Sequence, residues 1–151
     1  PSDASRREWH ARIPQYLESA CEIMEPTWVL PTVVRKLHRI QIDHHGGRPG
    51  VRADAALESA LARPRNIAAY EDPNICRLAA AYAQGIVRNH PFIDGNKRTA
   101  FLTAYVFLEI NGFVLVAEEL DATRQTINLA VGEITESEFA RFLDANTKPI
   151  P

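Results

Sequence analysis

Cysteine is scarce in this chain. Cys21 and Cys76 are the only two among 151 residues. They lie far apart and match no zinc-binding or redox spacing, so neither a metal nor a disulfide framework is expected. Two lone cysteines suit a reducing compartment, and Cys76 reads as a small core residue. A dominant charge is missing as well. Lys and Arg number 17, Asp and Glu 19, and the net charge is −2. No global field draws such a chain to nucleic acid or to an anionic membrane, so any anion site must be local. No stretch approaches the roughly 18 apolar residues that cross a bilayer. The first residues are polar and charged and carry no secretory signal, so a cytoplasmic protein is expected. Neither a P-loop nor a Gly-x-Gly-x-x-Gly turn after a strand is present. Repeats, low-complexity tracts and linkers are absent too.

What remains is an ordinary globular composition, 46% hydrophobic and 24% charged. That is enough for one domain with a sizeable core. Helical signals dominate. Ser5-Arg-Arg-Glu8 reads as a capping box, and Pro14 ends or kinks the helix it opens. Pro31 starts a helix that stops near His45, before Gly46-Gly47. Asp54 is expected to cap a short helix closed before Pro64. Asp72-Pro73 reads as N-cap and first residue of a helix reaching about Asn89. A further helix spans Gly95 to Asn111 and stops at Gly112. Phe113 to Val116 is a short extended segment. Asp121 to Val131 is helical, and Thr135-Glu-Ser-Glu138 is a second capping box before Phe139, Phe142 and Leu143.

The segments 75–87 and 100–110 are apolar around most of their circumference, as interior helices are. The expected fold is therefore all-α, with a central buried helical hairpin. The loop between these two helices is His90-Pro-Phe-Ile-Asp-Gly-Asn-Lys-Arg98. It gathers an imidazole, a carboxylate, a turn and two cations at a helix start, where free N–H groups and the dipole attract anions, phosphate above all. Lys97 and Arg98 in that first turn oppose the dipole unless an anion joins them. Asp94 suits both an N-cap and a magnesium ligand. Arg88 reads equally as a helix-end charge and as a phosphate contact. Phe92 reads as an anchor for the loop. His44-His45 do not form a metal site, because adjacent histidines rarely chelate one ion. Residues 43–53, rich in glycine, read as a mobile loop.

The run from His90 to Arg98 resembles the signature of the Fic/Doc family, His-Pro-Phe-x-Asp/Glu-Gly-Asn-x-Arg. Lys97 and Phe101 match the Doc-type branch, whereas Fic proteins that transfer AMP mostly carry glycine at the first position and often arginine at the second. Ile40 to Gly50, Arg88 and the Gly132-Glu133-Ile134 turn are similar to Doc as well. The resemblance covers about residues 27–146. Residues 1–23 fall outside it and read as an accessory segment beside a catalytic domain at 24–151.

The resemblance implies a Doc-like toxin that acts as a protein kinase. It would transfer the ATP γ-phosphate to a Ser/Thr hydroxyl of a translation factor, elongation factor Tu, and block translation. His90 would be the general base and Asp94 would hold Mg²⁺. Gly95, Asn96, Lys97, Arg98 and Arg88 would bind phosphate, with Lys97 and Arg98 also neutralising charge in the transition state. A cognate antitoxin is the implied partner, and nucleic acid and membrane are not. The self-inhibitory Ser/Thr-x-x-x-Glu-Gly/Asn pattern of some Fic proteins is absent from the chain. Two other readings stand beside this one: a Fic-type protein AMP transferase, and an idle partner that acts only by binding an antitoxin.

Overall fold

Six helices and a two-stranded antiparallel sheet make up residues 25–151, the part of the chain that the structure, a computed structural model, describes. The capping box at Ser5–Glu8, the break at Pro14 and the accessory segment at 1–23 lie outside these residues. Helix α1 (Pro31–His45) begins with proline at its first turn and ends at Gly46, whose N–H donates to the Ile42 carbonyl. Its buried residues are Val34, His38 and Ile42, one face at a spacing of four.

Helix α2 (Asp54–Tyr70) departs from expectation in two ways. Ala53 is the N-cap and Asp54 makes no capping bond. The helix also runs through Pro64 instead of closing before it. An interior proline removes the bond to the carbonyl four residues back, here Ala60. Tertiary packing offsets that loss, because Pro64 is buried and Gly85 of the next helix presses on Ala60. A β-carbon at Gly85 would lie 2.8 Å from the Ala60 carbonyl oxygen, so only glycine permits this approach. Helix α3 (Ile75–Asn89) starts two residues later than Asp72-Pro73 predicts. Asn74 is the N-cap, and its Oδ1 accepts from the Arg77 N–H at 2.8 Å.

Helix α3 is the centre of the molecule. It packs against α2, α4 (Asn96–Ile110), α5 (Glu119–Val131) and α6 (Glu136–Ala145). Ala79 to Ala83 are without exception buried. Tyr82 and Phe107 join α3 to α4, with ring centroids 5.0 Å apart. The expected central hairpin is therefore present. Helix α4 is less enclosed than its composition suggests: Phe101, Leu102, Tyr105 and Val106 are half-buried and Ile110 is exposed. Phe101 and Leu102 of α4 line a cleft.

Strand β1 (Phe113–Leu115) pairs with β2 (Thr147–Pro149), Val114 opposite Lys148. The second strand is short and carries no alternating pattern, so only its partner reveals it. The capping box of α6 is complete: Thr135 Oγ1 accepts from Glu138 N–H, and the Glu138 carboxylate accepts from Thr135 N–H. Glu136 ties three helices together by accepting from Arg63 of α2 at 2.8 Å and Arg77 of α3 at 2.7 Å. Cys76 is a buried core residue. Among the described residues no helix is long and apolar enough to cross a membrane.

Candidate active site

The loop from His90 to Gly95 turns the chain from the end of α3 into the start of α4. His90 closes α3 in the left-handed region, at φ 50 and ψ 54, with its N–H on the Ile86 carbonyl. It is the only non-glycine residue with positive φ among those described. Such a conformation costs of order 1–2 kcal/mol in an L-residue and persists only where the surroundings impose it.

Three side chains impose it. The Asn96 amide, almost fully buried, reaches back across the loop. Its Oδ1 accepts from the Phe92 N–H at 3.0 Å, and its Nδ2 donates to the Phe92 carbonyl at 2.9 Å. Nδ2 also faces His90 Nδ1 at 3.2 Å. An amide nitrogen can only donate, so His90 Nδ1 accepts, and the neutral imidazole carries its proton on Nε2. Arg52 fastens the other side: its Nε donates to the His90 carbonyl at 2.9 Å and its Nη2 to the Asn89 carbonyl at 3.0 Å. A cation on the last carbonyls of α3 is favourable to that helix dipole. The third is Phe92, fully buried, which anchors the loop in the core as its type suggests.

The glycine-rich segment after α1 does not hang free as its composition suggests. It is stitched to the motif by backbone bonds. Arg52 N–H donates to the Pro91 carbonyl at 2.7 Å and Ile93 N–H to the Gly50 carbonyl at 3.1 Å, and Val51 pairs with Phe92 as an antiparallel bridge. The Arg48 N–H donates to Asp94 Oδ2 at 2.7 Å. Asp94 is therefore not the N-cap. That place belongs to Gly95, at φ 78, and no side chain caps α4.

The start of α4 is consequently open. Its first turn holds no acidic residue, and Lys97 and Arg98 are both exposed. Neither forms an ion pair among the described residues. Unbonded N–H groups, the positive end of the dipole and two unpaired cations converge there, an arrangement that stabilises an anion. His90, Asp94, Gly95, Asn96, Lys97 and Arg98 all line one cleft of about 720 Å³. Its far wall is Phe101 and Leu102 of α4 with Glu119, Thr123, Ile127 and Ala130 of α5, and His45 stands at its rim. The cleft is thus polar at the motif and mixed away from it, where Val87, Phe101, Leu102, Ile127 and Ala130 stand beside Gln41, Glu119, Thr123 and Thr126. Its volume is that of small-molecule sites, about 300–1,000 Å³.

Arg88 is not part of this assembly. It lines a neighbouring groove with Gln84, Arg63 and Thr135. His44 and His45 have ring centroids 6.5 Å apart, and no cluster of three or more metal-ligating side chains occurs among the described residues. Asp94 is the one carboxylate within the motif. One of its oxygens takes the Arg48 N–H and the other remains for a cation. A lone carboxylate fits Mg²⁺, which commonly arrives with substrate phosphates and keeps waters, better than it fits a metal held by protein alone.

Sequence reasoning missed His38, Arg52 and the α5 wall. His38 had a visible signal, because it interrupts the apolar stripe of Val34 and Ile42. The α5 residues had none, because their place depends on how α5 crosses α4.

Residues 28–108 match the Fic/DOC family. Among characterised proteins, the chain is 41% identical over 88 residues to Toxin Doc of Mycolicibacterium smegmatis. That match takes in 55% of this chain and 66% of the relative, just under two thirds of its length. It is also 34% identical over 113 residues to Protein kinase doc of Escherichia phage P1, covering 74% of this chain and 89% of that relative.

Proposed function

This chain belongs to the Fic/DOC family, and from that premise we propose that it is a Doc-like toxin with protein kinase activity. The observation that carries the proposal is the open, doubly cationic start of α4 with His90 and Asp94 on the same cleft. The kinase name of the phage relative and the lysine at position 97 favour phosphate over AMP as the transferred group.

In this reading Phe101, Leu102 and Ile127 of the far wall receive the nucleoside of ATP and the motif receives its phosphates, the γ-phosphate nearest His90. The protein hydroxyl attacks the γ-phosphorus, the bond to the β,γ-bridging oxygen breaks, and ADP leaves. The hydroxyl proton passes to His90 and then to solvent. To accept it, the ring must present an unprotonated nitrogen. That requires opening the contact with Asn96, at 3.2 Å the longest of the three bonds Asn96 makes. The N–H groups from Gly95 to Arg98 and the side chains of Lys97 and Arg98 stabilise the charge on the transferred group, the dominant contribution in phosphoryl transfer. Asp94 would hold Mg²⁺, which neutralises phosphate charge when bound. By the resemblance, the acceptor is a Ser/Thr hydroxyl of elongation factor Tu, a separate antitoxin restrains the toxin, and the machinery lies within 24–151.

Incubation with labelled ATP and a cell extract tests this. Transfer of the γ-label to protein, lost in His90→Ala, is expected. Transfer of the α-label instead makes the chain an AMP transferase, and transfer of neither leaves an antitoxin-binding protein without catalysis.

A further inference from the structure

His38 is the one buried titratable side chain near the motif that the proposed reaction leaves unused, and it lies directly beneath that loop. It is only 4% exposed. Its ring stacks on Phe92, with centroids 3.9 Å apart and planes within 8° of parallel. Its Nε2 is 2.8 Å from the carbonyl oxygen of Asp94. A carbonyl only accepts, so Nε2 carries a proton and donates it there.

The bond matters because Asp94 is joined to a glycine. Gly95 adopts φ 78 as the N-cap of α4. Glycine takes either sign of φ with little penalty, so the peptide joining residues 94 and 95 is where this loop could most easily turn over. That peptide is trans. Its C=O and N–H therefore point in opposite directions. Holding the carbonyl toward His38 sends the Gly95 N–H away from the core. A flipped plane would aim the carbonyl oxygen where an anion must sit. We propose that His38 is a positioning residue that locks this peptide, so that the rim of α4 presents N–H groups and not a carbonyl to phosphate. The inference rests on the phosphate-transfer reading above.

Two variants separate the hydrogen bond from the packing. His38→Phe keeps the stack on Phe92 and removes the donor. His38→Gln removes the ring and restores an N–H at similar reach. For each, Mg·ATP affinity is measured by calorimetry, kcat and KM for ATP by γ-phosphate transfer, and folding by thermal melting. His38→Phe should raise the Kd and KM for ATP about tenfold, the scale of one hydrogen bond, and His38→Gln should return both to within about threefold of wild type. A purely structural role would lower the melting temperature and the active fraction while leaving the affinity of folded molecules unchanged. An unchanged Kd in folded His38→Phe, or a folded His38→Gln no better than His38→Phe, overturns the lock. Nitrogen-15 spectra of wild-type protein test it without any variant: a neutral His38 protonated on Nδ1 overturns it too. If wild type binds no Mg·ATP, the kinase reading fails, and the His38 tautomer with titration by inorganic phosphate decides the lock alone.

Discussion

Replacing Asn96 by alanine tests whether the active loop is built by one buried amide. Asn96 is 5% exposed and Phe92, whose backbone it holds, is fully buried. The substitution strands the Phe92 N–H, bonded at 3.0 Å, and the Phe92 carbonyl, bonded at 2.9 Å. A buried backbone group left unpaired costs about 1–3 kcal/mol. Two of them give about 2–6 kcal/mol, and water entering from the cleft brings the expected loss to about 3 kcal/mol. That is less than the total stability of an ordinary domain, so the variant should fold. His90 loses its side-chain contact as well, so its left-handed conformation is no longer imposed from that side. A displaced reacting group is expected to lower phosphate transfer about a hundredfold. Asn96→Asp should be no rescue, because it places an oxygen against the Phe92 carbonyl and against His90 Nδ1. Urea unfolding and γ-phosphate transfer are the assays. A stability loss below about 0.5 kcal/mol with transfer within about threefold of wild type would show that Asn96 does not build the loop.

His90→Ala and His90→Gly should both lose transfer, but glycine should leave the protein more stable than alanine by about 1 kcal/mol, because φ 50 suits it; equal melting points would argue against stored strain. Lys97→Gly should fold normally, since the side chain is exposed, and should lower γ-phosphate transfer about a hundredfold or more; a rate within a few-fold of wild type removes the role given to Lys97. Gly85→Ala should destabilise by about 2 kcal/mol in urea, despite the helix preference of alanine, because its β-carbon would meet the Ala60 carbonyl oxygen at 2.8 Å and Cα at 3.1 Å; a stabilised variant would mean that α2 and α3 separate easily. Burial raises the Tyr82 pKa above 10.0, so the folded state keeps this proton longer than the unfolded chain. Its stabilisation is complete below the unfolded pKa and is lost as pH rises through the folded one. Wild type should therefore lose more stability than Tyr82→Phe between about pH 9 and pH 11, and parallel urea midpoints would contradict this.

Much of the molecule was legible residue by residue. The limits of α1 follow from Pro31 and Gly46, the start of α6 from Thr135 and Glu138, and the interior place of α3 from its continuous apolar surface. The family follows from the run His90 to Arg98, because that signature is contiguous. Errors arose where local chemistry and packing conflict. Pro64 is a helix breaker by its own chemistry, yet burial against α3 carries α2 past it. Asp94 is a good cap by type, yet one of its oxygens is turned to the Arg48 backbone N–H of another loop.

Sequence alone determined which chemical groups the site holds and that they stand at a helix start, since those properties depend on neighbours along the chain. Only the tertiary structure decided what holds them in place. His38 reaches Asp94 from α1, Arg52 reaches His90 from the following loop, and α5 supplies the far wall of the cleft. It also decided that Arg88, only two residues before His90, faces a different groove. The physical reason is one of range. Backbone preferences act over a few residues. The direction of a side chain and its partner from a distant segment are set by the way helices pack, which no local pattern encodes.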